Sequence, residues 1–203
     1  MHIKNTIFCE NGVNLPYIIQ VENPKAKIGV FGDSFAQLAE FNNNSDDFNH
    51  ESSWIYFLAN ILSMECHTYG ISRAGMGDIF QTILQCKIEY DYNIIFHTIP
   101  TRRNVFSNIK FSAASSKVIK NKIKDKKTLV IYWDESHNIF DFGKPVFYCK
   151  HHLTNKNIPD ENEFDTPINP LDKNGGPHHM SCRGNLLFAI ELSKLMFATS
   201  SKN

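Results

Sequence analysis

KIGVFGDSFAQLAE, residues 27–40, decides how the rest of the chain is read. A short apolar run, Lys27 to Phe31, stops at Gly32-Asp33-Ser34, and a helix-compatible stretch follows. A brief β-branched run bounded by glycine reads as a buried strand. Gly32 permits a tight turn and a close approach at its end. A small polar serine where a buried strand stops needs a reason. It can simply cap a helix. It can also present its hydroxyl at the carboxyl edge of a sheet, with the amides of the turn facing a developing oxyanion.

Outward from this stretch, apolar runs alternate in type. SSWIYFLANILSM (52–64) has apolar residues at helical spacing, with Ser52 or Ser53 as N-cap. ECHTYG (65–70) predicts a strand that ends in glycine, and YNIIFHTI (92–99) a strand stopped by Pro100. Between them GDIFQTILQCKIEY (77–90) is amphipathic, with Asp78 favourably placed in the first turn. SAASSKVIKNKIKDKK (112–127) predicts a basic-faced helix, TLVIYWD (128–134) a strand, and SCRGNLLFAIELSKLMFA (181–198) a closing helix entered through Ser181. Strands alternating with helices imply βαβ units and a parallel sheet covered on both faces. The polar stretch 38–52 and the long stretch 135–178 read as irregular loops of one domain, residues 1–203. Both are expected on the rim that carries Ser34, as a lid or a pocket wall.

Composition narrows the class. The chain has 203 residues, 42% hydrophobic and 21% charged, as a globular domain does. Lys plus Arg and Asp plus Glu both number 21, so no global field draws in nucleic acid or an anionic membrane. The lysine-rich run 117–127 is a solvated helix face. The N-terminus lacks a basic stretch leading into an apolar core, and no apolar run approaches the ~20 residues of a membrane helix. Cys9, Cys66, Cys86, Cys149 and Cys182 are dispersed, which reads as free thiols in a reducing compartment. A cytoplasmic protein is expected. Cys149, His151, His152, His178, His179 and Cys182 are metal-ligating types, but their spacing is not that of a zinc site, and no metal is expected.

Ligands of parallel sheets sit beyond the carboxyl ends of the strands. Ser34 lies there, and a serine hydroxyl needs a base to become a nucleophile. His178 and His179, just before the last helix, come to the same rim. Phe35, beside Ser34, would line any pocket.

IGVFGDSFA resembles the first block of the SGNH (GDSL-type) hydrolases, and HHMSCRGNLLFA resembles their last block. That last block usually reads Asp-x-x-His-x-Ser-x-x-Gly; alignment on Ser181 and Gly184 puts its histidine on His179. SSWIYFLANIL…YGISRAGMGDIFQTI resembles the segment with the family's oxyanion glycine, so the likeness spans most of the chain. The resemblance implies a flavodoxin-like three-layer α/β/α fold with a central parallel sheet. It implies ester hydrolysis through an acyl-enzyme, without a cofactor, with Ser34 as nucleophile and His179 as general base. Gly75, or the amide of Arg73, would join the amide of Ser34 in the oxyanion hole.

Two departures stand out. Where the family has Gly-x-Asn-Asp, this chain reads FHTIPTRRN. Thr98 is nearest the missing asparagine and its hydroxyl could donate instead; Asn104 lies further along. Thr98 and Arg102 match a Thr-x-x-x-Arg pattern of some SGNH-like proteins, and Arg102 with Arg103 would then meet an anionic substrate group; the alternative, slightly favoured, is that they are simply a solvated loop. Gly176 stands three places before His179, where the family has aspartate. Asp172, seven places before, could fold back through the Gly-Gly turn to orient the ring; otherwise a backbone carbonyl holds it. The expected substrate is a short acyl ester, with an O-acetylated glycan as an example. The alternative is an SGNH-like carbohydrate-binding or structural module without chemistry.

Overall fold

The structure, a computed structural model, describes residues 2–4, 16–36, 53–71, 74–97, 103–104, 107, 110–132, 135, 138, 142–148 and 182–200. Among them seven strands form one sheet: β1 His2–Lys4, β2 Tyr17–Gln20, β3 Lys27–Gly32, β4 Glu65–Gly70, β5 Tyr92–His97, β6 Lys127–Tyr132 and β7 Val146–Tyr148. The helices are α1 Trp54–Leu62, α2 Met76–Gln85, α3 Ala113–Lys122 and α4 Cys182–Ser200. No helix of the described residues is long and apolar enough to cross a membrane.

Local chemistry sets the helix ends. Ser53 caps α1, its Oγ accepting from Tyr56 N–H at 3.2 Å. Ser63 closes the same helix in the left-handed region, φ 53° and ψ 47°. Ser112 caps α3 by accepting from Ser115 N–H at 3.3 Å. The predicted helix over 77–90 ends at Gln85, and residues 86–90 leave it so that Tyr90 returns to the core.

Alternation along the strands builds two cores. Ile28, Val30, Ile94, Phe96, Leu129 and Ile131 face α1 and α4. Phe31, Ile95, Val130 and Tyr132 face α2 and α3 on the other side. Each such side chain, fully buried, contributes about 1.5–3 kcal/mol of transfer free energy. The result is the expected α/β/α sandwich. Gly29 shows how tightly it closes: a Cβ there would lie 2.4 Å from Tyr90 Cδ2.

The strand order is β1-β2-β4-β3-β5-β6-β7, with β4-β3-β5-β6-β7 parallel. Taken alone, these five have the 2-1-3-4-5 order of flavodoxin-like sheets. The chain leaves β3 for β4 on one side, then crosses to β5 on the other. β3 and β5 are neighbours whose connections diverge, and such a switch point opens a crevice at the carboxyl ends. Ser34 follows β3 directly.

Two features differ from expectation. The sheet is not wholly parallel: β1 and β2 form an antiparallel hairpin, which β2 joins to β4. β7 lies inside the stretch 135–178 read as irregular. These strands are three or four residues long, too short for a hydrophobic period; β2 fully buries Ile19 and β7 fully buries Phe147.

Candidate active site

The turn after β3 is the best-defined part of the site. Ser34–Ala36 make a single 3-10 turn. Buried Asp33 shapes it twice: Oδ1 accepts from Phe35 N–H at 3.0 Å and its carbonyl from Ala36 N–H at 2.9 Å. Gly32 is required by close approach, since a Cβ there would sit 2.7 Å from Phe96 Cβ and 2.8 Å from Ala36 Cβ. Three donors hold the turn from outside. Trp54 Nε1 donates to the Phe35 carbonyl at 2.7 Å, Thr68 Oγ1 donates to the Ala36 carbonyl, and Ile71 N–H donates to Gly32 O at 3.1 Å. Phe35 is half-buried and stacks on Phe96, centroids 5.4 Å apart and rings 9° from parallel. Ser34 therefore starts a rigid turn at the β3/β5 switch point.

The neighbouring edge comes from α2. Gly75 is its N-cap, and the Gly75 amide, a candidate oxyanion donor, points elsewhere: it donates to Asp78 Oδ2 at 3.0 Å. An oxyanion would have to compete with that charge-assisted bond. Asp78, fully buried, also takes Ser107 N–H on Oδ1 at 2.7 Å. Asn104 Oδ1 accepts from Gly77 N–H at 3.0 Å, so this residue is tied to the α2 N-terminus. Arg103 is exposed. The sequence placed Asp78 in a favourable helix turn; the structure makes it a staple between α2 and the segment after β5. An acid three residues into a helix, facing back to the cap, was the available signal. His97, at the end of β5, is buried against Tyr132, centroids 4.8 Å apart.

α4 approaches the same turn. Asn185 Oδ1 accepts from Trp54 N–H at 3.1 Å, and Phe188 meets the Trp54 ring edge-on at 5.3 Å. His179 precedes the first residue of α4 by three positions. His179, Asp172, Thr98, Arg102, Arg73 and the stretch 38–52 lie outside the described residues, as do His178 and most of the cysteine and histidine set weighed for a metal. The Ser34 side chain is likewise not described.

Two other polar features lie apart from this turn. Along β4, Lys27 Nζ and His67 Nε2 meet Glu65 Oε1 at 3.2 and 2.8 Å; His67 Nδ1 contacts Tyr90 Oη at 3.1 Å, and Tyr90 Oη contacts Tyr69 Oη at 2.7 Å. Burial opposes the Glu65 charge, but the His67 and Lys27 contacts outweigh it and hold the carboxyl below its usual range. Burial pushes the Tyr69 and Tyr90 phenols up. A cleft of about 540 Å³ opens at the amino ends of β5 and β6, lined by Lys124, Lys127, Lys144, Leu195 and Met196 among others. It is at the opposite end of the strands from Ser34.

No family model matches the chain, and no curated protein matches it in sequence. Solved structures match it in fold. A protein described as lipolytic, of the G-D-S-L family, from Desulfitobacterium hafniense aligns with a TM-score of 0.56 at 14% identity, over 83% of this chain and 98% of its own. A family two carbohydrate esterase from Clostridium thermocellum, in complex with cellohexaose, aligns at 0.51 and 13%, over 90% of this chain and 67% of its own. A carbohydrate esterase whose active site displays divergent catalytic and non-catalytic binding functions aligns at 0.51 and 12%, over 89% and 67%. The fold is thus the one found in G-D-S-L lipolytic proteins and carbohydrate esterases. This agrees with the resemblance drawn from the first and last sequence blocks.

Proposed function

We propose that the chain is a serine esterase acting on short acyl esters, an O-acetyl group on a glycan being the favoured kind. The observation that carries this reading is Ser34 on a clamped turn at the switch point of an esterase-type sheet. Ser34 Oγ attacks the acyl carbonyl while His179 takes its proton. The bond to the alcohol breaks, the alcohol leaves with that proton, and an acyl-Ser34 ester remains. Water, deprotonated by His179, then releases the acid. Asp172 orients the His179 ring. The Ser34 amide and the Thr98 hydroxyl hold the oxyanion, and Gly75 joins them by sharing its amide with Asp78, or Arg73 takes its place. Phe35 lines the acyl side and Arg102 meets an anionic substituent. A glycan substrate draws support from the neighbour solved with cellohexaose.

A second reading, a carbohydrate-binding module without hydrolysis, is favoured by one feature: glycine stands at 176, where an orienting acid is the rule. Hydrolysis of a chromogenic acetyl ester separates the two. Wild type should turn over, and Ser34→Ala and His179→Ala should each lose on the order of 10³-fold or more in kcat. Equal rates for wild type and Ser34→Ala would rule out the esterase.

A further inference from the structure

Trp54 occupies a junction. Its backbone N–H is one of the donors left over at the start of α1, and Asn185 of α4 accepts it at 3.1 Å. Its indole N–H donates at 2.7 Å to the carbonyl of Phe35, the residue after Ser34. Its ring packs edge-on against Phe188. Trp54 is 2% exposed and Asn185 5% exposed, so the bond between them is shielded from competing water. One end of this path is the nucleophile turn. The other is the first turns of the helix that His179 leads into.

From this geometry we infer that Asn185 is a positioning residue: through Trp54 it fixes the start of α4 against the turn that carries Ser34. The inference rests on the esterase reading for its catalytic meaning, but not for its structural content. Asn185 touches neither reacting group. It acts because this buried side chain of α4 accepts from the first turn of α1, a bond that forms only when the two helices hold their register. Hydrophobic packing of Phe188 alone would allow α4 to slide; a buried hydrogen bond does not. Misplacement of a catalytic group by about 1 Å costs on the order of 10²-fold in rate. A loss of registry therefore lowers kcat, because Ser34 stands on the turn that this path holds.

The test uses the full chain with Asn185→Leu, Asn185→Asp and Trp54→Phe. Asn185→Leu keeps the size and removes the acceptor. Asn185→Asp keeps the acceptor, next to a helix N-terminus that favours negative charge. Trp54→Phe keeps the ring and removes the indole donor. Two measurements are made: kcat and KM on an acetyl ester, and amide hydrogen exchange over residues 33–36 with residues 127–132 of β6 as internal reference. The expected result for Asn185→Leu is a kcat lower by on the order of 10²-fold, with faster exchange at 33–36 and unchanged exchange at 127–132. Asn185→Asp recovers most of both. Combining Asn185→Leu with Trp54→Phe adds less than the product of the single effects, since both break one path. Unchanged exchange at 33–36 in Asn185→Leu, or exchange raised equally at 33–36 and 127–132, overturns the proposal. If wild type hydrolyses no ester, the esterase reading fails by itself, and the exchange comparison still decides the positioning role.

Discussion

Adding one methyl group at Gly32 is the sharpest perturbation of the turn that carries Ser34. In Gly32→Ala the new Cβ lies 2.7 Å from Phe96 Cβ and 2.8 Å from Ala36 Cβ. Carbon atoms pack best at about 3.5–4.0 Å, so each contact must open by roughly 0.7 Å or more. Neither neighbour is the far end of a flexible side chain. A Cβ moves only with its backbone, so β5 or the Ser34–Ala36 turn must shift. Overpacking of this kind costs about 1–3 kcal/mol, and two rigid contacts put the expected loss at about 2 kcal/mol. For a chain of this size that lowers the Tm by about 4–8 °C. The turn is the softer partner because β5 is hydrogen-bonded on both sides. Ser34 should therefore move by several tenths of an ångström, and esterase kcat should fall by roughly 10-fold or more. Thermal unfolding followed by circular dichroism and hydrolysis of a chromogenic acetyl ester read the two effects. Ala36→Gly added to Gly32→Ala removes one contact and should restore part of both. A Gly32→Ala protein with unchanged Tm and unchanged kcat would refute the close packing described here.

Two further outcomes are expected. Asp78→Ala leaves the Gly75 and Ser107 amides without their shared acceptor, a loss on the order of 3 kcal/mol in urea unfolding, with faster amide exchange near residue 107; a loss below about 1 kcal/mol would show that the staple is weak. Glu65 ionises more readily in the folded chain than its usual value of about 4.3, so the unfolded chain binds more protons in that window; its stabilisation is present above that pH and is lost as pH falls through the lower folded value. Acid unfolding of Glu65→Gln should be flatter than that of wild type below about pH 4.3, and identical slopes would dismiss the His67–Glu65–Lys27 cluster as its cause.

Periodicity and turn chemistry carried most of the architecture. Lys27–Gly32 and Tyr92–His97 were legible because a central parallel strand buries both faces and so stands out as a short apolar run; Glu65–Gly70, with its Glu, His and Thr, was a weaker signal marked by its closing glycine. α1 was legible because its cap and its apolar spacing agree. From those elements alone Ser34 falls on the carboxyl rim, where the ligands of parallel sheets sit. The likeness of the end blocks is what pairs it with His179, which lies outside the described residues.

Other features depended on which elements become neighbours, and a pattern within one element does not encode that. The hairpin of β1 and β2 and the short β7 are stabilised by pairing with strands already in the sheet, and three or four residues have no period to read. Asp78 as a staple, the clash space around Gly32, and Asn185 on Trp54 join residues far apart in the chain. Each is a matter of distance between backbones, set by how two layers of helix close on one sheet. Burial on a single element follows from side-chain chemistry repeated along the chain; the partner of a buried polar group follows only from the packing that buries it.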